Sequence, residues 1–150
     1  MKQTNIWCCL KLDSFGVEAP FSKSRSEFIK FFNENNIPAY IPTEKQIVVK
    51  SKLLSLDVEF SILFQFSGEK LIIITMSPST ALEGKFLDCR YKKIQKSLEN
   101  ELGHPRNCLR LIMNLLDPDN RLSCWQKEGI KIEHYLLNRF GMEEIINIKL

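Results

Sequence analysis

The sequence predicts an α+β domain: an antiparallel sheet of six to seven strands with two main helices packed on one face. Three observations carry that reading. "LDVEFSILFQF" alternates strictly, with Val58, Phe60, Ile62, Phe64 and Phe66 facing one way and Glu59, Ser61, Leu63 and Gln65 the other, as in a strand with one buried face. "KFLDCRYKKIQKSLENELG" instead gathers Leu87, Tyr91, Ile94, Leu98 and Leu102 on one helical stripe. The chain closes on "GIKIEHYLLNRFGMEEIINIKL", where the apolar runs Ile130–Leu137 and Ile145–Leu150 read as a hairpin. A hairpin alone is marginal in water, so it must extend a larger sheet.

Taken in order, "NIWCCLKLDS" has the apolar density of a strand, with Ile6, Cys8 and Leu10 on one face and Trp7, Cys9 and Lys11 on the other. This strand is expected to form an added sheet edge. "SFGVEAPFSKS", with Gly16 and Pro20, reads as a connection. Ser24 precedes Glu27 by three residues, a capping box, and Phe28, Ile29, Phe31 and Phe32 then cluster on one helical face that Asn35, Asn36 and Pro38 end. "EKQIVVKS" is a short strand, "SGEK" a turn, and "LIIITM", apolar on both sides, an interior strand. Thr80 and Glu83 suggest a second capping box before the long helix, which Gly103 caps and Pro105 stops. The conformation of residues 106–121 is left open by its pattern, apart from a turn at "DPDN". "RLSCWQ" resumes a strand, "KEG" turns, and the hairpin follows. Each helix thus precedes strands in the same order, which reads as two α-β-β-β units within a single domain, 1–150.

The composition is that of an ordinary soluble globular domain, 44% hydrophobic and 26% charged, and too apolar for disorder. A net charge of +3 falls short of a dedicated nucleic-acid binder. The Ile6–Leu10 patch is shorter than a signal-peptide core, and no run approaches a bilayer span, so the expected compartment is the cytoplasm and no membrane partner is expected. There the five cysteines (Cys8, Cys9, Cys89, Cys108, Cys124) are expected to be reduced, with Cys8 and Cys9 on opposite strand faces.

Residues that could do chemistry are few. His104 lies in a helix-ending turn. His134 shares a strand face with Ile130, Ile132 and Leu136 and reads as a part-buried histidine with one hydrogen bond. Cys124 with a cross-strand His134 would be the pair for a thiol-dependent enzyme, although no local motif joins them. No metal-ligand spacing, calcium loop or phosphate-cradling glycine run appears, so no metal or cofactor is expected. The basic residues Lys85, Arg90, Lys92, Lys93, Lys96, Arg106 and Arg110 include an edge of the second helix, directed away from its apolar stripe, that could meet nucleic acid. On the sheet face opposite the helices, Glu59, Ser61, Gln65, Lys131, Glu133 and Tyr135, joined by Trp125, form a candidate docking surface.

The tract "YKKIQKSLENELGHP", followed by "CWQKEGIKIEH" and "GMEEIINIKL", resembles a pattern of small bacterial immunity proteins that neutralise contact-dependent and other polymorphic toxins. It covers about the last sixty residues and is a pattern of elements rather than of site residues. The resemblance implies a cytosolic inhibitor that binds a cognate toxin domain and occludes its active site, without catalysis. It marks no interface. An acidic patch from Asp117, Asp119, Glu128, Glu133, Glu143 and Glu144, beside Trp125, Lys131 and Tyr135, is the expected contact set. A nucleic-acid module is the leading rival and a Cys124/His134 enzyme the third reading. A homodimer through an exposed edge strand is a further expectation.

Overall fold

The computed structural model describes residues 5–106, 120–138 and 142–150. Its elements run β1 (Cys9–Leu12), β2 (Val17–Pro20), α1 (Arg25–Glu34), β3 (Ala39–Thr43), β4 (Gln46–Lys52), β5 (Glu59–Ser67), β6 (Lys70–Pro78), α2 (Gly84–Leu102), β7 (Arg121–Lys127), β8 (Ile130–Asn138) and β9 (Met142–Lys149). Seven strands form one antiparallel sheet in the order β3-β4-β5-β6-β9-β8-β7, and β1 and β2 make a separate two-stranded ribbon. The chain is therefore α+β, with the terminal hairpin completing the sheet through β6 and β9.

Local chemistry explains the boundaries. Ser24 Oγ accepts from the Glu27 amide and the Glu27 carboxylate accepts from the Ser24 amide, so the predicted capping box starts α1. The helix ends in a Schellman motif, with Asn36 left-handed at φ 54°, its N–H on Asn33 O and the Ile37 N–H on Phe32 O. In the β5–β6 turn Gly68 takes φ 60°, and in the β7–β8 turn both Glu128 and Gly129 have positive φ, the torsions that two-residue hairpins require.

Three expectations are corrected. The N-terminal strand is not an edge of the main sheet. It pairs with β2 inside the segment expected to be a mere connection, and Leu10, Leu12 and Ala19 join the main core. The ribbon is tied to the end of β4, where Asp13 N donates to Lys52 O and Lys52 N to Ser14 Oγ. The edge next to β4 is instead β3, whose Pro42 fits an edge because no ladder hydrogen bond is needed from its missing N–H. The second capping box does not form: the N-cap of α2 is Glu83, without a side-chain cap bond, and Thr80 O accepts from Arg90 instead.

The core lies on one sheet face, and register shows it. Ile47, Phe64, Ile74, Ile148, Ile132 and Trp125 are successive cross-strand partners, all buried. The neighbouring row on the same face is Val49, Ile62, Met76, Ile146, His134 and Ser123. α1 drives Phe28 and Phe32 onto Phe64, with ring centroids 5.1 and 5.6 Å away. α2 buries Leu87, Tyr91, Ile94 and Leu98 of its predicted stripe, and Tyr91 stacks on His134 at 4.2 Å. Among the described residues no helix is long and apolar enough to cross a membrane.

Candidate functional site

Two regions gather the polar residues singled out in the sequence. The first is buried between α2 and the terminal hairpin. His134 exposes no surface, and both ring nitrogens are engaged: Nδ1 lies 2.8 Å from Gln95 Oε1 and Nε2 3.0 Å from Glu144 Oε1. Arg90 Nε donates to the other carboxylate oxygen of Glu144 at 2.8 Å, and its Nη1 donates to Thr80 O. Gln95 Nε2 in turn donates to Glu99 at 2.7 Å. Burial pulls the His134 imidazole below its ordinary value, and the Glu144 carboxylate opposes that shift. Arg121 lies over the Tyr91 ring, 5.4 Å from its centroid, and pairs with Asp88, whose carboxyl Lys92 and Arg121 hold below its usual range.

This cluster corrects several expectations. Arg90 turns inward rather than joining a solvated basic edge, because Glu144 is buried opposite it and a lone buried carboxylate would be costly. His134 is fully buried, not part-buried, and has two partners instead of one. A Cys124–His134 pair does not form. Across the β7–β8 ladder His134 opposes Ser123 while Cys124 opposes Glu133, so the two candidates point to opposite faces. Cys124 is also disulfide-bonded, which overturns the expectation of five reduced thiols; Cys108 lies outside the described residues. Cys8, Cys9 and Cys89 are free. Nor do Cys8 and Cys9 diverge across a strand. Cys8 sits in a turn before β1, both thiols donate to Asn5 O, and burial, with help from Cys8 and Glu18, pushes the Cys9 thiol up to about 12. Among the described residues no three His, Cys, Asp or Glu side chains are grouped to hold a metal ion.

The second region is the sheet face opposite the core rows. Register orders it into rows as well. One runs Val48, Leu63, Thr75, Asn147, Glu133, Cys124, and the next runs Gln46, Gln65, Ile73, Lys149, Lys131, Gln126. Tyr135 and Ile145 are partners in a third. Val48, Leu63, Ile73 and Ile145 are half-buried and flank the central Thr75–Asn147 pair, while Glu133, Cys124 and Leu137 at the β7–β8 end of this face are buried. Its polar groups are already interlocked. Asn147 Nδ2 donates to the Tyr135 hydroxyl and Thr75 Oγ1 to Asn147 Oδ1, both at 2.9 Å. Glu133 sits between Lys131 and Lys149 at 2.6 and 2.7 Å. Burial alone would raise the Glu133 carboxyl, but the two ammonium groups outweigh it and hold the group below the ordinary carboxylate range.

The structure brings Lys131, Glu133 and Tyr135 together on this face, with Glu59, Ser61 and Gln65 on the same side of the sheet. It separates the rest. Trp125 is buried on the core face and donates Nε1–H to Gly103 O, holding the end of α2, so it is no surface anchor. Glu144 is buried on Arg90. Glu143 is exposed beyond it, and Glu128 lies in the β7–β8 turn. Asp117 and Asp119 lie outside the described residues, as does Arg110. The expected acidic patch is therefore not assembled by Glu133 and Glu144, the first balanced by Lys131 and Lys149 and the second by Arg90. Sequence reasoning missed Val48, Ile73 and Asn147, which only cross-strand register places beside Leu63 and Tyr135. No family model, curated protein or solved structure matches the chain.

Proposed function

We propose that the chain is a protein-binding inhibitor, most simply an immunity protein that occludes the active site of a cognate bacterial toxin, and that it docks through the half-exposed face of the seven-stranded sheet. The observation that carries this reading is the makeup of that face. Half-buried Val48, Leu63, Ile73 and Ile145 flank polar side chains, Thr75, Asn147 and Tyr135 among them, that are already fixed to one another. Apolar surface interleaved with pre-ordered polar groups suits a protein interface, because little side-chain entropy remains to be lost on binding. The buried His134 cluster supports the same reading, since its imidazole and carboxylate have no exposed area with which to meet a substrate.

We also infer that both helices share the opposite face. The Phe28 and Phe32 contacts fall on Phe64, the Tyr91 contact falls on His134, and these two residues lie on adjacent rows of one side. The two α-β-β-β units are supported by strand order: β4-β5-β6 and β7-β8-β9 are each meanders that meet at β6 and β9. On the docking face Lys50, Lys52, Lys131 and Lys149 stand beside Glu59, Glu133 and Glu143, so the contact surface is of mixed charge and its complement on the toxin is mixed as well.

The test is to co-express the chain with toxin domains encoded near its gene and to measure protection of the cells. Replacing Leu63 and Ile145 with arginine is expected to abolish protection and weaken binding at least about thirtyfold, with the melting curve preserved. Full protection by that double variant would refute the docking face. Loss of function on replacing Lys92, Lys93 and Lys96, with salt-sensitive retention on a polyanion, would favour the nucleic-acid reading instead.

A further inference from the structure

The chain of hydrogen bonds that runs from half-buried Glu99 and Gln95 to buried His134, Glu144 and Arg90 fixes its own hydrogen positions. The Glu99 carboxylate can only accept, so its 2.7 Å contact with Gln95 Nε2 orients that amide and turns Gln95 Oε1 towards His134 Nδ1 at 2.8 Å. Nδ1 therefore carries a hydrogen. The other ring nitrogen, Nε2, lies 3.0 Å from Glu144 Oε1, where neither side chain exposes any area. A neutral ring with its hydrogen on Nδ1 would point a lone pair at a carboxylate oxygen there, and two facing acceptors in a water-poor site repel. The carboxylate is not free to turn away, because Arg90 holds its second oxygen and is itself anchored on Thr80 O.

We propose that His134 and Glu144 share one proton between Nε2 and Oε1 in the folded chain, and that this proton latches α2 to the terminal hairpin. The groups facing His134 are Tyr91 and Gln95 from α2, Glu144 from β9 and Ser123 from β7, with Arg90 behind Glu144 and Arg121, paired to Asp88, over Tyr91. Burial of the ring works against this proton; what holds it is geometry, with the Glu144 carboxylate fixed 3.0 Å from Nε2 and the Gln95 amide oxygen 2.8 Å from Nδ1. Above the ordinary imidazole range an unfolded chain binds no proton at either group, whereas the folded chain keeps one. Rising pH then works against folding, by up to about tenfold in the equilibrium constant per pH unit, until the pair gives up its proton.

Two measurements on the full chain test this. Nitrogen-resolved NMR of the His134 ring, told apart from His104 by a His104→Gln variant, is expected to show no titration step near about pH 6.5 and no bare lone pair on Nε2 at about pH 7.5. Denaturant unfolding between about pH 7 and about pH 8.5 is expected to show the intact chain losing stability relative to Glu144→Gln, whose amide N–H satisfies Nε2 without an extra proton. A step at or below about pH 6.5 that leaves Nε2 unprotonated, or parallel pH slopes for the two proteins, would overturn the proposal. If Glu144→Gln does not fold, the NMR titration of the intact chain decides alone.

Discussion

The two helices are fixed to the sheet by different physics. α1 is held by rings: Phe28 and Phe32 meet Phe64 and Phe66 in tilted and edge-on pairs, all fully or nearly fully buried. α2 adds to Ile94 and Leu98 a charged set, with Arg90, Glu144, His134 and Gln95 bonded in series. An aromatic contact tolerates small displacements and ignores pH. A buried ionic chain is stable only when every member has its partner, and one loss leaves a charge stranded. Two helices that look alike as amphipathic stripes therefore respond differently to the same kind of damage.

The largest effects should fall at the centre of each contact. Phe64→Ala removes the ring on which both Phe28 and Phe32 rest and should cost about 3–5 kcal/mol in denaturant unfolding. Glu144→Ala should cost about 3–5 kcal/mol as well, since it strands the Arg90 guanidinium in the interior. The comparison is sharpened by repeating both at several pH values. The Phe64 penalty should stay constant, and the Glu144 penalty should vary. Equal pH dependence in the two variants would break the distinction. Trp125→Phe keeps most of the buried area but deletes the hydrogen bond to Gly103 O, so a smaller loss of about 1–2 kcal/mol is expected, with amide exchange accelerated at the end of α2.

Much of this was legible in the sequence, and the failures are informative. The stripe of α2, the capping box of α1 and the alternation of β5 follow from local period and were read correctly. β3 was missed because Pro38 and Pro42 argue against a strand unless it is known to be an edge. The expectations put Arg90 on a basic helix edge and Glu144 in an acidic contact patch, both at the surface, because charged residues usually lie there, yet the pattern held a signal. Arg90 is flanked by Leu87, Tyr91 and Ile94 on one helical side, and Glu144 alternates in phase with Ile146 and Ile148. What a single sequence lacks is register. Nothing local says that His134 opposes Ser123 rather than Cys124, and that one-residue difference decides whether a thiol meets an imidazole.

Smaller effects extend the contrast to the surface. Glu133 is held below the ordinary carboxylate range by Lys131 and Lys149, so its contribution to stability is fully present above that range and lost as pH falls through the lowered value. Lys149→Met should move that acid loss to higher pH, read from unfolding midpoints between about pH 5 and about pH 2.5. An unmoved acid limb would show that the lysines on the half-exposed sheet face do not act on Glu133. Smallest of all, Ser24→Ala removes one half of the α1 capping box and should cost about 1 kcal/mol, visible as a modest drop in melting temperature.

The most direct test of the proposed function is methyl NMR of the chain titrated with a toxin domain from which it protects cells. Docking on the half-exposed sheet face predicts that the methyl signals of Val48, Leu63, Ile73 and Ile145 shift or broaden, while those of Ile94 and Leu98 beneath α2 stay in place. Perturbation centred on α2, with the four sheet-face methyls unmoved, would contradict it.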